Sequence, residues 1–174
     1  MSTKAQQSLA QAFNELVLER RFEDIHIADI IKRADVSRST FYEHYRNKEQ
    51  ILVHSLRVVL RPIAEATVAA KDCNSLTPIL EHFVEVKELA LAYFHSPLSR
   101  VMVELLTELT FNEMQANQFE NKLRLPREIL CSQIAHSNLG FIEAWLNDVS
   151  KLSSIEVEAQ LIKGTQALIA AANQ

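Results

Sequence analysis

The sequence predicts an all-α protein, and three observations support this fold class. Glycine and proline, which interrupt helices, are scarce: the 174 residues include two glycines and four prolines. Ala, Leu, Glu and Gln, which are good helix formers, are common. Apolar residues make up 48% of the chain and recur at the three- and four-residue spacing of amphipathic helices. The chain therefore has enough apolar material for a substantial helical core.

The first helix is predicted to begin after Thr3. Thr3 and Gln6 have the spacing of a capping box, in which each side chain accepts a hydrogen bond from the other residue's backbone N–H. Apolar residues then repeat at helical spacing. They are Leu9, Ala12, Phe13, Leu16 and Val17. We expect this face to pack across the next two helices.

Residues 27–45 are predicted to form two short helices joined by a tight turn. One apolar face lies on the first of these helices, at Ile27, Ile30, Ile31 and Ala34. Asp35 and Val36 make the turn. Ser37 is suited to begin the second helix, because its hydroxyl can accept a bond from an unpaired backbone amide. Such a helix-turn-helix presents its second helix to the DNA major groove.

The second of these helices has side chains suited to nucleic acid. We expect Val36, Phe41 and Tyr45 to face the protein interior. Five other residues of this helix can donate hydrogen bonds to phosphates or base edges, and none of these five is acidic. They are Arg38, Ser39, Thr40, Tyr42 and His44.

The net charge of −4 is unevenly distributed along the chain. Residues 1–60 carry nine basic and eight acidic side chains, and the remainder carries nine and fourteen. A basic cluster surrounds the turn, at Lys32, Arg33, Arg38, Arg46 and Lys48. DNA affinity depends on the local charge that faces phosphate, so an acidic chain with a basic face is compatible with DNA binding. Taken alone, such a cluster is equally well explained as a solvated surface.

The segment from residue 27 to residue 52 resembles the DNA-binding domain of the TetR family of transcriptional regulators. The most specific part of the resemblance is Thr-Phe-Tyr-x-His-Tyr at residues 40–45, followed by Asn-Lys-Glu at 47–49. Two residues depart from the family pattern: Asp35 stands in place of the usual turn glycine, and His26 in place of a capping Thr. Asp tolerates a left-handed conformation better than most residues, so the turn is expected to persist.

The resemblance implies an N-terminal three-helix helix-turn-helix DNA-binding domain followed by an α-helical ligand-binding and dimerisation domain. We assign residues 1–47 to the first, 48–72 to a connecting helix and 73–174 to the second. Arg38 and Ser39 are expected to contact bases. Phosphate contacts are implied for Thr40, Tyr42, His44 and, at the amino end of the next helix, Lys48. The complete predicted DNA-binding set is His26, Ser37, Arg38, Ser39, Thr40, Tyr42, His44 and Lys48.

The remaining sequence predicts further helices. The fourth starts after Asn47 and runs to about residue 71, and Pro62 is expected to kink or break it. Thr77 and Pro78 are expected to start a helix that reaches Phe94. Others are predicted over 98–114, 126–147 and 154–172, and the polar stretch 115–125 is a candidate mobile gate.

The resemblance also implies a homodimer and an effector. The last two helices are apolar on several sides and contain small residues, and in TetR-like proteins two such helices pair with their symmetry mates. A twofold dimer suits a palindromic operator. The candidate effector pocket consists of Phe83, Tyr93, Phe94, Met102, Phe111, Met114 and His136. Residues of these types are usually core, so the pocket itself is an expectation from the family.

We therefore predict a dimeric repressor that binds double-stranded DNA and is released by a small-molecule effector. Two alternatives remain open: an activator that works through a protein partner without a metabolite, and a small helical enzyme. No Ser/His/Asp or Cys/His grouping supports catalysis, and Cys73 and Cys131 lack metal-ligand spacing, so no catalytic residue, cofactor or metal is predicted. No secretory signal or apolar run of ~18 residues is apparent, so we expect a cytoplasmic protein without a membrane partner.

Overall fold

The computed structural model describes residues 3–69, 76–117, 123–147 and 151–173. Within these ranges the chain forms nine α-helices and no strand, so the all-α prediction is confirmed. The helices are α1 (Lys4–Glu19), α2 (Ile27–Ala34), α3 (Arg38–His44), α4 (Lys48–Ala69), α5 (Thr77–Glu85), α6 (Lys87–Phe94), α7 (Leu98–Ala116), α8 (Arg127–Leu146) and α9 (Ser154–Ala172). A short 3-10 turn, Phe22–Asp24, lies between α1 and α2.

Local capping signals set the starts of several helices. At α1 the Thr3 hydroxyl accepts from the Gln6 backbone N–H at 3.2 Å, and the Gln6 side chain accepts from the Thr3 N–H at 2.8 Å. Ser153 and Glu156 form the same box at α9. Before α4, the Asn47 side chain accepts from the Gln50 N–H at 3.0 Å. These starts were predicted from the sequence and are confirmed.

The turn between α2 and α3 contains the left-handed residue that the sequence predicted. Asp35 has φ 50° and ψ 48°, and is the only non-glycine residue with positive φ in the described part of the chain. The Val36 N–H bonds to the Ile31 carbonyl at 3.3 Å, and the Asp35 N–H bonds to the Lys32 carbonyl at 3.4 Å. This Schellman arrangement satisfies the last carbonyls of α2 and directs the chain into α3.

The region after α4 differs from the sequence prediction. The single helix expected from Thr77 to Phe94 is two helices, because Val86 between α5 and α6 has φ −106° and ψ 32°, outside the helical range. Thr77 is also not the cap that was expected. Its N–H and hydroxyl both donate to the Glu158 carboxylate on α9, at 2.8 and 2.6 Å, so a distant residue caps α5.

Pro62 does not break α4, which continues to Ala69. Proline lacks an N–H, so it withholds the bond that the Val58 carbonyl would accept in an uninterrupted helix. Leu60, Ile63 and Ala64 around it are fully buried, and their packing offsets the lost hydrogen bond. The part of α4 around and after Pro62 therefore depends on tertiary contacts for its stability.

α4 is the central element of the fold, since it packs against α1, α7 and α9. One apolar core cluster contains residues of the first three helices, Leu52, Leu56 and Leu60 of α4, and residues of the later helices. Near the far end of α4, the Gln166 side chain of α9 donates to the carbonyls of Thr67 and Val68, at 2.8 and 3.1 Å. The predicted domain limits at 47 and 72 stay predictions, and residue 72 and residues 118–122 of the candidate gate lie outside the described residues.

No helix in the described ranges combines the length and apolarity that crossing a bilayer demands.

Candidate nucleic-acid interface

One side of α3 is packed into the protein and the opposite side is open. Phe41 and Tyr45 are 0% and 3% exposed, and they anchor the helix to the apolar core. Tyr42 is 47% exposed, and Arg38 and Ser39 are exposed as well. The side that the sequence assigned to DNA is therefore accessible in the folded chain. We call this open side of α3, from Ser37 to His44, the outer α3 face.

Hydroxyl groups hold the start of α3 in a fixed arrangement. The Ser37 hydroxyl accepts from the Thr40 backbone N–H at 3.0 Å, as expected for a helix cap. It also lies 2.7 Å from the Ser39 hydroxyl and 2.8 Å from the Thr40 hydroxyl. Three short side chains at the amino end of the helix are thus mutually oriented before any ligand is present.

Arg38 and Tyr42 form a neighbouring pair on the outer α3 face. The Arg38 guanidinium carbon lies 5.7 Å from the centre of the Tyr42 ring, within the range of a cation–π contact. The Tyr42 ring stands edge-on to Phe41, with the ring centres 5.2 Å apart. The buried Phe41 therefore orients the tyrosine, and the tyrosine in turn supports the arginine.

Glu43 is an exposed acidic residue on the same helix, and sequence reasoning did not weigh it. It lies four residues after Ser39, so the two share one side of α3. A carboxylate repels phosphate, but it can also accept a hydrogen bond from cytosine. A helical wheel of residues 37–45 would have found it, since Phe41 and Tyr45 define the buried side.

His44 lies at the end of α3, and His26 lies at the start of α2. The Nε2 atom of His44 lies 3.4 Å from the Thr3 hydroxyl, so the end of α3 meets the start of α1. His44 is half-buried against Tyr45, whereas His26 is exposed at the start of α2. The His26 backbone N–H donates to the Asp29 carboxylate at 3.1 Å, which caps that helix.

Lys48 has a different environment from the other predicted DNA-binding residues. Its ammonium donates to the carbonyl oxygens of Phe22, Glu23 and Ile25, and it lies 4.3 Å from the centre of the Phe22 ring. An ammonium has three N–H donors, and three carbonyls occupy them. The side chain thus ties the start of α4 to the turn between α1 and α2, which argues against a direct phosphate contact by Nζ.

Arg33 is also held within the protein. Its guanidinium donates to both carboxylate oxygens of Glu19, at 2.8 and 2.9 Å, and to Glu15 at 3.3 Å. The hydrogen bonds to Glu19 and Glu15 raise the pKa of Arg33, and the bond from Arg33 lowers the pKa of the Glu19 carboxyl. Arg33 therefore joins α2 to α1 and contributes little positive charge to the surface.

The cationic part of the interface is accordingly smaller than the sequence cluster suggested. Lys32, Arg38 and Arg46 are exposed and form no ion pair with any carboxylate in the described ranges. Lys32, Arg38 and Tyr42 border one shallow depression of about 410 Å³ between α2 and α3. Arg38 and Tyr42 belong to the outer α3 face and Lys32 lies beside them, so the charge of a phosphate backbone could be neutralised there.

The predicted effector residues are divided between several places. Phe83, Tyr93 and Met102 line a cleft of about 340 Å³ between α1 and the helices α4 to α7. The other four predicted residues lie elsewhere: Phe94 is in the core, Phe111 contacts Arg127, Met114 contacts Cys131, and His136 is exposed on α8. Sequence spacing could not place these side chains together, because they come from different helices.

One protein family matches the segment that contains the outer α3 face. The family model described as bacterial regulatory proteins, tetR family, matches residues 12–54, which include α2, α3 and the start of α4. The chain carries a TetR-family DNA-binding domain. The family resemblance and the helix-turn-helix predicted from the sequence are thereby confirmed.

Two curated proteins are similar to parts of the chain. The uncharacterized HTH-type transcriptional regulator YxbF of Bacillus subtilis (strain 168) is 29% identical over 101 residues, or 58% of this chain. DhaS of Lactococcus lactis subsp. lactis (strain IL1403), an HTH-type dhaKLM operon transcriptional activator, is 34% identical over 47 residues, or 27% of the chain. Each match spans 25% of the length of the other protein.

The TetR-type fold extends beyond the DNA-binding domain. A TetR transcriptional regulator from Streptococcus agalactiae 2603V superposes with a TM-score of 0.58 and 21% sequence identity. The alignment covers 98% of this chain and 94% of the other. This likeness shows a shared overall fold, so helices α4–α9 belong to the same architecture.

Proposed function

We propose that the chain is a transcriptional regulator that binds double-stranded DNA by placing the outer α3 face in the major groove. The observation that carries this proposal is the orientation of α3 within the TetR-family domain. Phe41 and Tyr45 are buried, which leaves Arg38, Ser39 and Tyr42 exposed on the opposite side. A helix of this kind fits the major groove, where side-chain donors can distinguish base pairs.

The individual roles follow from the positions of the side chains. Arg38 is our candidate for reading guanine, because its two parallel donors match guanine O6 and N7. Ser39 is the second candidate base contact. We assign phosphate contacts to Thr40, Tyr42 and His44, with Ser37 and His26 at the margins of the surface. Phosphate contacts position a protein on the duplex, whereas base contacts select the sequence.

Lys48 takes an indirect role in this proposal. Its ammonium holds three carbonyls of the preceding turn, so it positions the first turn of α4. The unpaired backbone amides at that amino end remain suited to bind a phosphate oxygen.

We further propose that two copies pair through α8 and α9 and bind a palindromic operator. Ile129 and Ile155, near the starts of these helices, are 56% and 69% exposed. A Cβ atom added to Gly140 or Gly164 would meet no atom of the chain within 4 Å, so neither glycine is required for packing inside one copy. Glycine within a helix costs about 1 kcal/mol relative to alanine, and close approach of a second copy would offset that cost.

Sedimentation equilibrium of the full chain tests the proposed dimer directly. Gly140→Arg should shift the equilibrium to monomer, because a long charged side chain would enter the proposed contact. Ala116→Arg, at the exposed carboxyl end of α7, is the matched control and should leave the mass unchanged. A monomeric wild-type chain at micromolar concentration, or a Gly140→Arg variant that dimerises normally, would contradict the pairing.

For the direction of regulation, we propose a repressor that a small-molecule effector releases from DNA in the cytoplasm. The described cleft, lined by Phe83, Tyr93 and Met102, favours a ligand-responsive protein. Activation remains the second candidate, because the relative DhaS is named as an activator. A reporter gene behind the selected operator separates the two, since deletion of a repressor raises expression and deletion of an activator lowers it.

The decisive experiment for DNA binding selects preferred duplexes from a random pool with the full chain. We expect an enriched inverted repeat, with half-sites about one helical turn apart. The logarithm of the affinity for this duplex should fall linearly with the logarithm of the salt concentration, as phosphate contacts require. Enrichment of no sequence, or affinity independent of salt, would overturn the proposal.

A further inference from the structure

An open groove lies between α1 and the junction of α5 and α6, with a volume of about 860 Å³. On α1 it extends from Gln7 to Leu18, which is about 16 Å along the helix axis, or three helical turns. The groove adjoins the cleft described above and shares part of its lining, but its end at Leu18 lies outside that cleft. We call it the α1 groove.

Apolar side chains form a strip within the α1 groove. Ala10, Val86 and Leu89 are partly buried in its lining, and Leu18 at its end is 50% exposed. A single exposed leucine on a protein surface is ordinary. A leucine that continues a concave apolar surface is instead typical of an interaction site.

Carboxylates border the apolar strip on both sides. Glu85 and Glu88, around the junction of α5 and α6, are exposed, and Glu15 lines the side formed by α1. The Glu15 carboxylate accepts a hydrogen bond from Arg33 at 3.3 Å. Glu85 lies 3.7 Å from the Nδ1 atom of His82, a pair that is ionic only when the histidine is protonated. The border formed by α5 and α6 therefore carries the more available negative charge.

The charge of the described lining is negative on balance. It contains three carboxylates and one ammonium, that of the half-buried Lys87. Glu81, exposed on α5 four residues before Glu85, extends the acidic border on the same side of that helix. Complementary charge steers the encounter of two proteins and disfavours partners of the wrong sign. The α1 groove therefore favours a cationic partner.

The walls of the α1 groove favour a helical partner. The part of the chain that the structure describes contains no strand, so an extended segment would find no sheet edge to pair with. An amphipathic helix places apolar side chains along one face, at three- and four-residue spacing, and polar or charged side chains beside them. A basic helix of this kind matches an apolar strip that carboxylates border.

We propose that the α1 groove binds a basic, amphipathic helix of a partner protein. Apolar side chains of that helix pack against Leu18, Val86 and Leu89, and its lysine or arginine side chains lie beside Glu85 and Glu88. No residue of the groove belongs to the outer α3 face, so a chain bound to DNA can hold the second protein at the same time. The groove gives a location to the protein partner that the second regulatory alternative requires.

The test selects peptides from a random library displayed on phage, with the full chain as bait. Library members of about 16 residues are long enough for the three helical turns that the groove accommodates. We expect the enriched peptides to combine Leu, Ile or Phe at helical spacing with several Lys or Arg. A fluorescent copy of an enriched peptide then reports affinity by anisotropy. A scrambled peptide of the same composition should bind at least about tenfold more weakly, because its apolar face is lost.

Charge reversal locates the contact. Glu85→Lys combined with Glu88→Lys should weaken binding of the enriched peptide at least about tenfold, because like charges would meet. Glu104→Lys combined with Glu128→Lys is the matched control, since both residues are exposed and lie outside the groove. A peptide whose basic residues are replaced by glutamate should bind the Glu85→Lys, Glu88→Lys chain better than the unaltered chain. This exchange of preference requires direct contact and would not follow from a general loss of structure.

A further variant tests the apolar strip. Leu18→Ser should weaken binding of the enriched peptide at least about threefold, because apolar surface is no longer buried on binding. Leu125→Ser is the matched control, since Leu125 is 41% exposed and lies outside the groove. Circular dichroism of every variant should match that of the unaltered chain, because all the changed positions are exposed.

Each outcome decides the proposal. Enriched basic amphipathic peptides, loss of their binding in Glu85→Lys combined with Glu88→Lys, and the reversed preference for the acidic peptide support it. No enrichment of such peptides, equal binding of the scrambled peptide, or unchanged binding in the charge-reversed chain overturns it. A lower mass of the charge-reversed chain in sedimentation equilibrium would show that a second copy occupies the groove, which also overturns it. The operator selection uses the outer α3 face, so its result is independent of these outcomes.

Discussion

The ammonium of Lys48 donates a hydrogen bond to the carbonyl oxygen of Ile25 at 2.9 Å. This bond joins the first residue of α4 to the segment that leads into α2, although the two residues are separated by most of the helix-turn-helix. Lys48, which was predicted to bind phosphate from its position in the sequence, thus joins two segments of the protein. The distinction has a measurable consequence.

Lys48→Met should lower the stability of the DNA-binding domain. The substitution keeps the apolar stem and removes the donor shared by three carbonyls, and hydrogen bonds from charged groups contribute about 1.5–3 kcal/mol. Urea denaturation of the variant measures the loss. Lys32→Met, at an exposed position on α2, is the matched control and should leave the free energy of unfolding nearly unchanged. The opposite result would be a variant of normal stability in which the slope of log affinity against log salt concentration is smaller by about 0.9. That result would identify a direct phosphate contact.

Arg38→Ala should relax sequence preference at one base pair in each half-site. Loss of a bidentate contact to guanine removes roughly 1–3 kcal/mol of discrimination. The measurement compares the affinities of the selected operator and its single-base variants. Arg100→Ala, which removes an exposed arginine of α7 far from α3, should leave all of these affinities unchanged. Equal losses on every sequence would show that Arg38 contacts only the backbone.

Tyr42→Phe should weaken binding to all sequences alike. The ring remains against Phe41 and beneath Arg38, while the hydroxyl that we assign to a phosphate is lost. One such hydrogen bond contributes about 1 kcal/mol, which is roughly a fivefold change in affinity. Fluorescence anisotropy with the operator and with an unrelated duplex provides the comparison. A change confined to particular base pairs would contradict the phosphate assignment.

Glu43→Gln should strengthen DNA binding. Removing an exposed carboxylate from the outer α3 face relieves repulsion from phosphates, and the gain should be larger at low salt, where screening is weak. Glu81→Gln on α5 is the matched control for the change in net charge. If Glu43 instead accepts a hydrogen bond from cytosine, the variant will lose affinity for the selected operator, and this prediction will be wrong.

Asp35→Gly should raise the free energy of unfolding by roughly 0.5–1 kcal/mol. Glycine adopts the left-handed conformation of this turn without strain, and the change removes a negative charge from the carboxyl end of α2. Ala28→Gly, at an exposed position within α2, should lower the free energy of unfolding by a similar amount, because glycine is unfavourable inside a helix. Thermal denaturation of both variants tests the pair, and destabilisation by Asp35→Gly would show that the aspartate side chain has a structural partner.

The features that the sequence predicted correctly are those that depend on neighbouring residues. The capping box of Thr3 and Gln6, the left-handed Asp35 and the cap at Ser37 all involve groups within a few positions of one another. The periodicity of Phe41 and Tyr45 likewise determined which side of α3 is buried. Local hydrogen bonds and helical spacing are encoded in short segments, so the helix-turn-helix was predictable without tertiary information.

The tertiary structure alone decided which polar side chains are bonded to other groups of the protein and which remain available to a ligand. Arg33 and Lys48 belong to the same basic cluster as Arg38, yet the first binds Glu19 and the second binds carbonyls of a distant turn. The Asn14–Tyr93 hydrogen bond joins side chains on α1 and α6. Such pairings depend on how helices far apart in the chain come together, because burial and partner geometry are properties of the packed molecule and leave no periodic signal in the sequence.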